Sequence, residues 1–154
     1  MVWYQEKKEF DTGYIAMAIH QETITLSPRS RGFHLITAEI EKALLSMPSI
    51  ETGILHLFIK HTSASLSINE NADPTVREDM ENFFTELADG KPYYIHTYEG
   101  ADDMPAHIKA SMLGNALTIP IANGRMDLGT WQGIYLGEHR DGGGNRRIVM
   151  TYYG

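Results

Sequence analysis

Apolar and polar positions along this chain recur at two spacings, and each spacing predicts a different element. In TAEIEKALLSM, residues 37–47, Ile40, Leu44 and Met47 share one face of an amphipathic helix, with Thr37 as N-cap and Pro48 as stop. In DPTVREDMENFFTEL, residues 73–87, Val76, Met80, Phe83, Phe84 and Leu87 form a second apolar stripe. Asp73 is placed to cap the free amides of that helix, and Pro74 falls at its first position, where a missing N–H costs nothing. Arg77 and Glu81 pair along its polar side. A shorter helix follows Pro105 over AHIKASMLG, residues 106–114, and stops at Gly114.

The rest of the chain reads as strands. In TGILHLFIKHTS, residues 52–63, Ile54, Leu55, Leu57 and Ile59 are set against His56, Phe58 and Lys60. ETITLS (22–27), ALTIPIAN (116–123), GIYLGEHRD (133–141) and NRRIVMTYYG (145–154) are β-rich, and YQEKKEF (4–10) reads as an early strand. The run Gly142-Gly143-Gly144-Asn145 predicts that the last two strands form a hairpin. Many strands, few helices and no regular strand–helix alternation predict an α+β fold with a largely antiparallel sheet, in one domain over residues 1–154.

Composition narrows the function classes. Apolar residues make up 42% of the chain, enough for one core. No apolar run is long enough to span a bilayer, and MVWYQEKKEFD lacks the basic start and apolar block of a signal peptide. There is no cysteine, which fits the cytoplasm and excludes thiolate metal sites and cysteine nucleophiles. The formal net charge of −7 makes nucleic acid a poor partner, and no membrane partner is expected. The one basic cluster, Arg140, Arg146 and Arg147, suits a single phosphate rather than a duplex.

Four clusters carry candidate chemistry. HTSAS, residues 61–65, places His61 and hydroxyls including Ser63 at the end of a buried-looking strand, although ordinary turn hydroxyls would also fit there. In NENADP, residues 69–74, capping accounts for Asp73 but leaves Glu70 without a structural role. His96 and His107 flank an acidic loop holding Glu99, Asp102 and Asp103; a third imidazole would complete a divalent-metal site, and a surface or core role would equally account for each. Lys109 lies two residues beyond His107, about 200° away around a helix, so the two would not share a face. Finally, Trp131 and Gln132 stand among glycines, Glu138, His139, Arg140 and Asp141 crowd a strand end, and Arg140 or Arg147 could bind a carboxylate or phosphate. No arrangement matches a P-loop, a dinucleotide fingerprint or a convincing Ser-His-Asp set.

The blocks HTSASLSINENADPTVREDME, HTYEGADDMPAHIKASMLG and TIPIANGRMDLGTWQGIYLGEHRD, in that order, resemble the signature blocks of the YjbQ family, and the resemblance runs from about residue 23 to the end. It implies an α+β fold dominated by an antiparallel β-sandwich, assembled as a homotrimer. It also implies a weak thiamine-phosphate synthase activity, joining a pyrimidine pyrophosphate to a thiazole phosphate with release of pyrophosphate. Carried over by position, the pocket would hold a divalent ion (zinc, or magnesium or manganese) on His61, His96 and His107. Glu70, Asp73, Lys109 and Glu138 would serve the chemistry, and Ser63, Trp131, Gln132, Arg140 and Arg147 would bind a small phosphorylated metabolite. One departure is visible: Gly137 stands where the family often has a cysteine, so no thiol is available at that point. The same residues fit two other readings, a module that binds a metabolite or a metal, and a metal-dependent hydrolase with the synthase activity as a side reaction.

Overall fold

The fold, a computed structural model describing residues 17–154, has three helices and eight strands in two antiparallel sheets. The strands are β1 (Ile19–Leu26), β2 (Gly32–Leu35), β3 (Thr52–Ile59), β4 (Ala64–Glu70), β5 (Ala116–Ala122), β6 (Arg125–Met126), β7 (Gln132–Glu138) and β8 (Arg146–Tyr153). The helices are α1 (Thr37–Ser46), α2 (Pro74–Ala88) and α3 (Asp103–Leu113). One sheet runs β1-β8-β3-β5-β6 and the other β2-β7-β4. The predicted strand at residues 4–10 and the reading of the N-terminus lie outside the described residues.

The core fills the space between the sheets. Leu55, Leu57 and Ile59 of β3 pack with Ile119 and Ile121 of β5 and with Ile148, Met150 and Tyr152 of β8, against Leu66 of β4 and Ile134 and Leu136 of β7. Ile40 and Leu44 of α1 close one side. Strict alternation puts Ser65 and Ser67 of β4, and Tyr135, Gly137 and His139 at β7, on the opposite face, beneath α2 and α3.

Several local expectations change. The helix at 37 begins at Thr37 itself, whose hydroxyl accepts the Ile134 N–H at 2.9 Å instead of capping its own first turn. Asp73 does cap α2, accepting the Thr75 N–H at 2.9 Å, with Pro74 next. The apolar stripe of α2 is only partly its inner face: Val76, Met80 and Phe84 are half-buried, but Phe83 is 59% and Leu87 42% exposed, and Ala88 is its one buried residue. The inner face carries Arg77, Glu81, Phe84 and Thr85, because the sheet surface below is polar. Glu81 therefore pairs with Arg31 at 2.9 Å rather than with Arg77, which lies over the Tyr135 ring.

The strands at 133 and 145 do not form a hairpin. β7 belongs to the small sheet and β8 to the large one, so the glycine run carries the chain between layers. The buried Glu138–Arg146 ion pair ties the two ends of that crossing. Gly143 is required there, since a Cβ would fall within 2.6 Å of the Glu138 carboxyl carbon.

Candidate metal centre

α3 starts three residues earlier than its sequence pattern predicts, at Asp103, and that shift creates the site. Pro105 lies in its first turn, where backbone N–H groups have no helical partner. Asp103 and His107 become one turn apart on a single face. At the other end Gly114, at φ 101°, stops the helix. Its carbonyl accepts the Leu66 N–H at 3.1 Å, and the Asn115 carbonyl accepts the Ile59 N–H at 2.9 Å. These bonds stitch the α3–β5 connection to β3 and β4 and press α3 against the turn between them.

His107 consequently reaches that turn and donates Nδ1–H to the Thr62 carbonyl at 3.0 Å. In the neutral ring that bond leaves the lone pair on Nε2, which faces Asp103 Oδ1 at 3.4 Å. His96, on the connection before α3, places Nε2 2.9 Å from Asp103 Oδ2. One ligand atom each from His96, Asp103 and His107 lies within 4.8 Å of the other two. The Asp103 side chain is nearly fully buried, and Arg140 donates to its Oδ1 at 2.6 Å. Arg140 is held in turn by Asp102 at 2.9 Å and by the Glu99 carbonyl. Burial works against the charge on Asp102, but the Asp141 N–H and the Arg140 guanidinium hold its pKa below the usual carboxylate range.

Two imidazoles and a carboxylate, with His107 oriented by the Thr62 carbonyl and Asp103 by Arg140, fit a divalent transition metal. Three protein ligands are fewer than such an ion requires, so the site has open positions.

The other predicted residues fall into three places. His61 lies at the same end of the molecule but outside the cluster. Its Nε2 accepts the Arg147 N–H at 2.8 Å, and burial, then Arg146 and Arg147, lower its pKa. Ser63 and Glu138 are buried beside it: Arg146 reaches Glu138 Oε1 at 2.8 Å and Ser63 Oγ at 3.1 Å. The Arg147 side chain is exposed, while its backbone N–H holds His61.

Glu70, Trp131 and Gln132 occupy the far end of the small sheet, where Glu70 pairs in register with Gln132, and Asp73 follows as the α2 cap. Six residues of β4 carry Glu70 about 20 Å from Ala64, so within one chain these groups do not join the histidines. There Tyr135 donates to the Glu70 carbonyl, Gln132 Oε1 accepts the Gly129 N–H at 2.8 Å, and Trp131 is 65% exposed.

Lys109 turns away from His107, as the helical angle requires, and is fully buried against Asp89 at 2.8 Å. Burial alone would raise the Asp89 pKa, but Lys109 and Arg31 hold it low.

The residue sequence reasoning missed as a ligand is Asp103. Its signal is the i, i+4 spacing to His107, hidden once Pro105 is taken to precede the helix. His139, named in the crowded strand end but given no role there, is the second. It is buried beneath α3, bonded through Nε2 to Ser65 Oγ at 2.9 Å, and its pKa is lowered to about 3 by burial and then by Lys109, Arg146 and Arg31.

The family model described as UPF0047 protein YjbQ-like matches residues 22–154. The chain belongs to the YjbQ-like UPF0047 family. The UPF0047 protein YjbQ of Escherichia coli O157:H7 is 58% identical over 135 residues, spanning 88% of this chain and 98% of that protein. A UPF0047 protein of Synechocystis is 42% identical over 88% of this chain and 92% of its own length. Among solved structures, a hypothetical protein from Aeropyrum pernix K1 superposes with a TM-score of 0.78 at 29% identity, covering 88% of this chain and 98% of that one. A YbjQ-like protein of unknown function from Sulfolobus solfataricus P2 has the same fold, with a TM-score of 0.79 at 24% identity over 90% and 99% of the two chains.

These YjbQ-like relatives correct the functional expectation. They define a family of unknown function, none of the relatives above is described by a reaction, and the thiamine-phosphate synthase assignment does not stand. The departure at Gly137 also gains a physical account. A Cβ there would overlap Ser65 Oγ and come within 2.7 Å of His139 Cε1, so the Ser65–His139 pair fills the space a cysteine would need.

Proposed function

We propose that this chain binds one divalent transition-metal ion through His96 Nε2, His107 Nε2 and the Asp103 carboxylate, leaving coordination positions open to an exchangeable ligand. The observation that supports this reading is the convergence of three ligand atoms within 4.8 Å, with the His107 proton committed to the Thr62 carbonyl. Two nitrogens and one carboxylate favour zinc, iron, cobalt or manganese over magnesium, which takes oxygen ligands. A closed structural site would use four protein ligands, so an exchangeable site fits this donor count better.

The test is elemental mass spectrometry of untagged protein purified with zinc or manganese supplied. The expected content is one ion per chain, lost in His107→Ala and in Asp103→Asn. Metal-free wild-type protein under those conditions would overturn the reading.

We propose further, on the family resemblance, that the chain assembles as a homotrimer, and, on the absence of cysteine, that it resides in a reducing compartment.

A further inference from the structure

α3 carries its metal-ligand face one turn further than the ligands need. Asp103, His107, Ala110 and Ser111 follow at i, i+4, i+7 and i+8, which is one side of a helix. Beyond His107 this side forms a wall of a cleft of about 300 Å³, completed by His61, Thr62, Ala64 and Asn115. That volume equals roughly ten water molecules, the scale of one small ligand.

The polar lining has one chemical character. His61 accepts the Arg147 N–H on Nε2, so its neutral ring carries the proton on Nδ1. Among the described residues, the Nδ1–H of His61, the hydroxyls of Thr62 and Ser111 and the side-chain amide of Asn115 make no hydrogen bond to other protein atoms. All four can donate. No carboxylate lines the cleft, in a chain whose formal charge is −7. Arg146, Arg147 and Lys60 lie near His61 and add positive potential, which the neighbouring Glu138 carboxylate partly offsets. His107 belongs to both the cleft and the candidate metal centre.

We infer that this cleft is an oxyanion site, taking the phosphate or carboxylate of a small ligand on His61, Thr62, Ser111 and Asn115, beside the cation held by His107. The inference rests on the metal reading for its principal positive charge, since neutral donors at a half-open surface do not by themselves outcompete water for an anion.

The experiment uses the full-length protein loaded with manganese. Relaxation of the ³¹P signal of inorganic phosphate reports binding near the ion, and calorimetry with phosphate and with acetate separates the two oxyanions. The comparison variant is Ser111→Glu, a change at an exposed helix position that puts a carboxylate into the cleft without touching a metal ligand. Wild-type protein is expected to bind at least one of the two anions, and Ser111→Glu to bind it at least tenfold more weakly while keeping one manganese per chain. Preference for phosphate would assign a phosphorylated ligand, and preference for acetate a carboxylic acid. Stoichiometric manganese with no anion binding, or equal binding by wild type and Ser111→Glu, would overturn the inference and leave the metal reading standing. Absence of manganese binding would overturn both.

Discussion

At the scale of single residues, His139 makes a pH-dependent prediction with a definite sign. Buried and neutral, it has a pKa lowered to about 3, against an ordinary 6.5 when the chain unfolds. Between those values the unfolded chain binds the extra proton, so this contribution to stability is present above pH 6.5 and is lost as pH falls toward 3. The loss between pH 7 and pH 5 is about 2 kcal/mol, read by urea unfolding at the two pH values, and His139→Gln is expected to remove it. Asp89 and Asp102, whose pKa values are lowered from 3.8, lose their contributions only below that value, whereas His61, whose pKa is also lowered from 6.5, adds a loss of the same sign in this window that persists in His139→Gln. Gly137→Cys tests the neighbouring contact. The new side chain must displace Ser65 or His139 and break their 2.9 Å hydrogen bond, at a cost of about 1–3 kcal/mol. Ser65→Ala in the same chain is expected to return part of that loss in thermal unfolding.

At the scale of elements, the three helices show how far pattern alone reaches. Asp73 and Pro74 mark the start of α2 in the sequence and in the structure, because a cap is a local interaction between neighbours in the chain. Asp73→Ala is expected to lower the urea midpoint, because the Thr75 N–H loses its cap. The same helix's inner face was legible only in part, since Val76, Met80 and Phe84 of its stripe are half-buried. Phe83 and Leu87 have the right period for a core stripe, yet the surface beneath α2 is built from Ser65, Ser67, Tyr135 and His139, which match Arg77 and Glu81 better. The third helix failed at its start for another reason. Proline ends helices in their interior but is tolerated in the first turn, and only the position of α3 on β4 decides which case applies. The metal reading turns on that choice, since a helix beginning at residue 106 would leave Asp103 off the His107 face.

At the scale of the whole molecule, several large apolar side chains remain at the surface. Ile95 is 97% and Tyr98 99% exposed, on the connection that bears His96. Exposed apolar groups of this size favour association, in line with the proposed homotrimer. Light scattering coupled to gel filtration is expected to give three times the 17.3 kDa chain mass, and a mass of one chain at micromolar concentration would overturn the trimer.

What the sequence by itself determined are the local and periodic features: the α+β class, the antiparallel strands with two-residue alternation, the α2 cap, the Gly114 stop and the divergence of Lys109 from His107. Each depends on backbone geometry within a few residues. Only the tertiary structure decided that β7 and β8 part into different sheets, that α2 turns Arg77 and Glu81 inward and leaves Phe83 and Leu87 exposed, and that His96, Asp103 and His107 converge while Glu70 and Trp131 lie at the other end of β4. Those outcomes depend on which layer each strand joins and on which surface each helix meets. Groups far apart in the chain set both, and no short window of sequence contains them together.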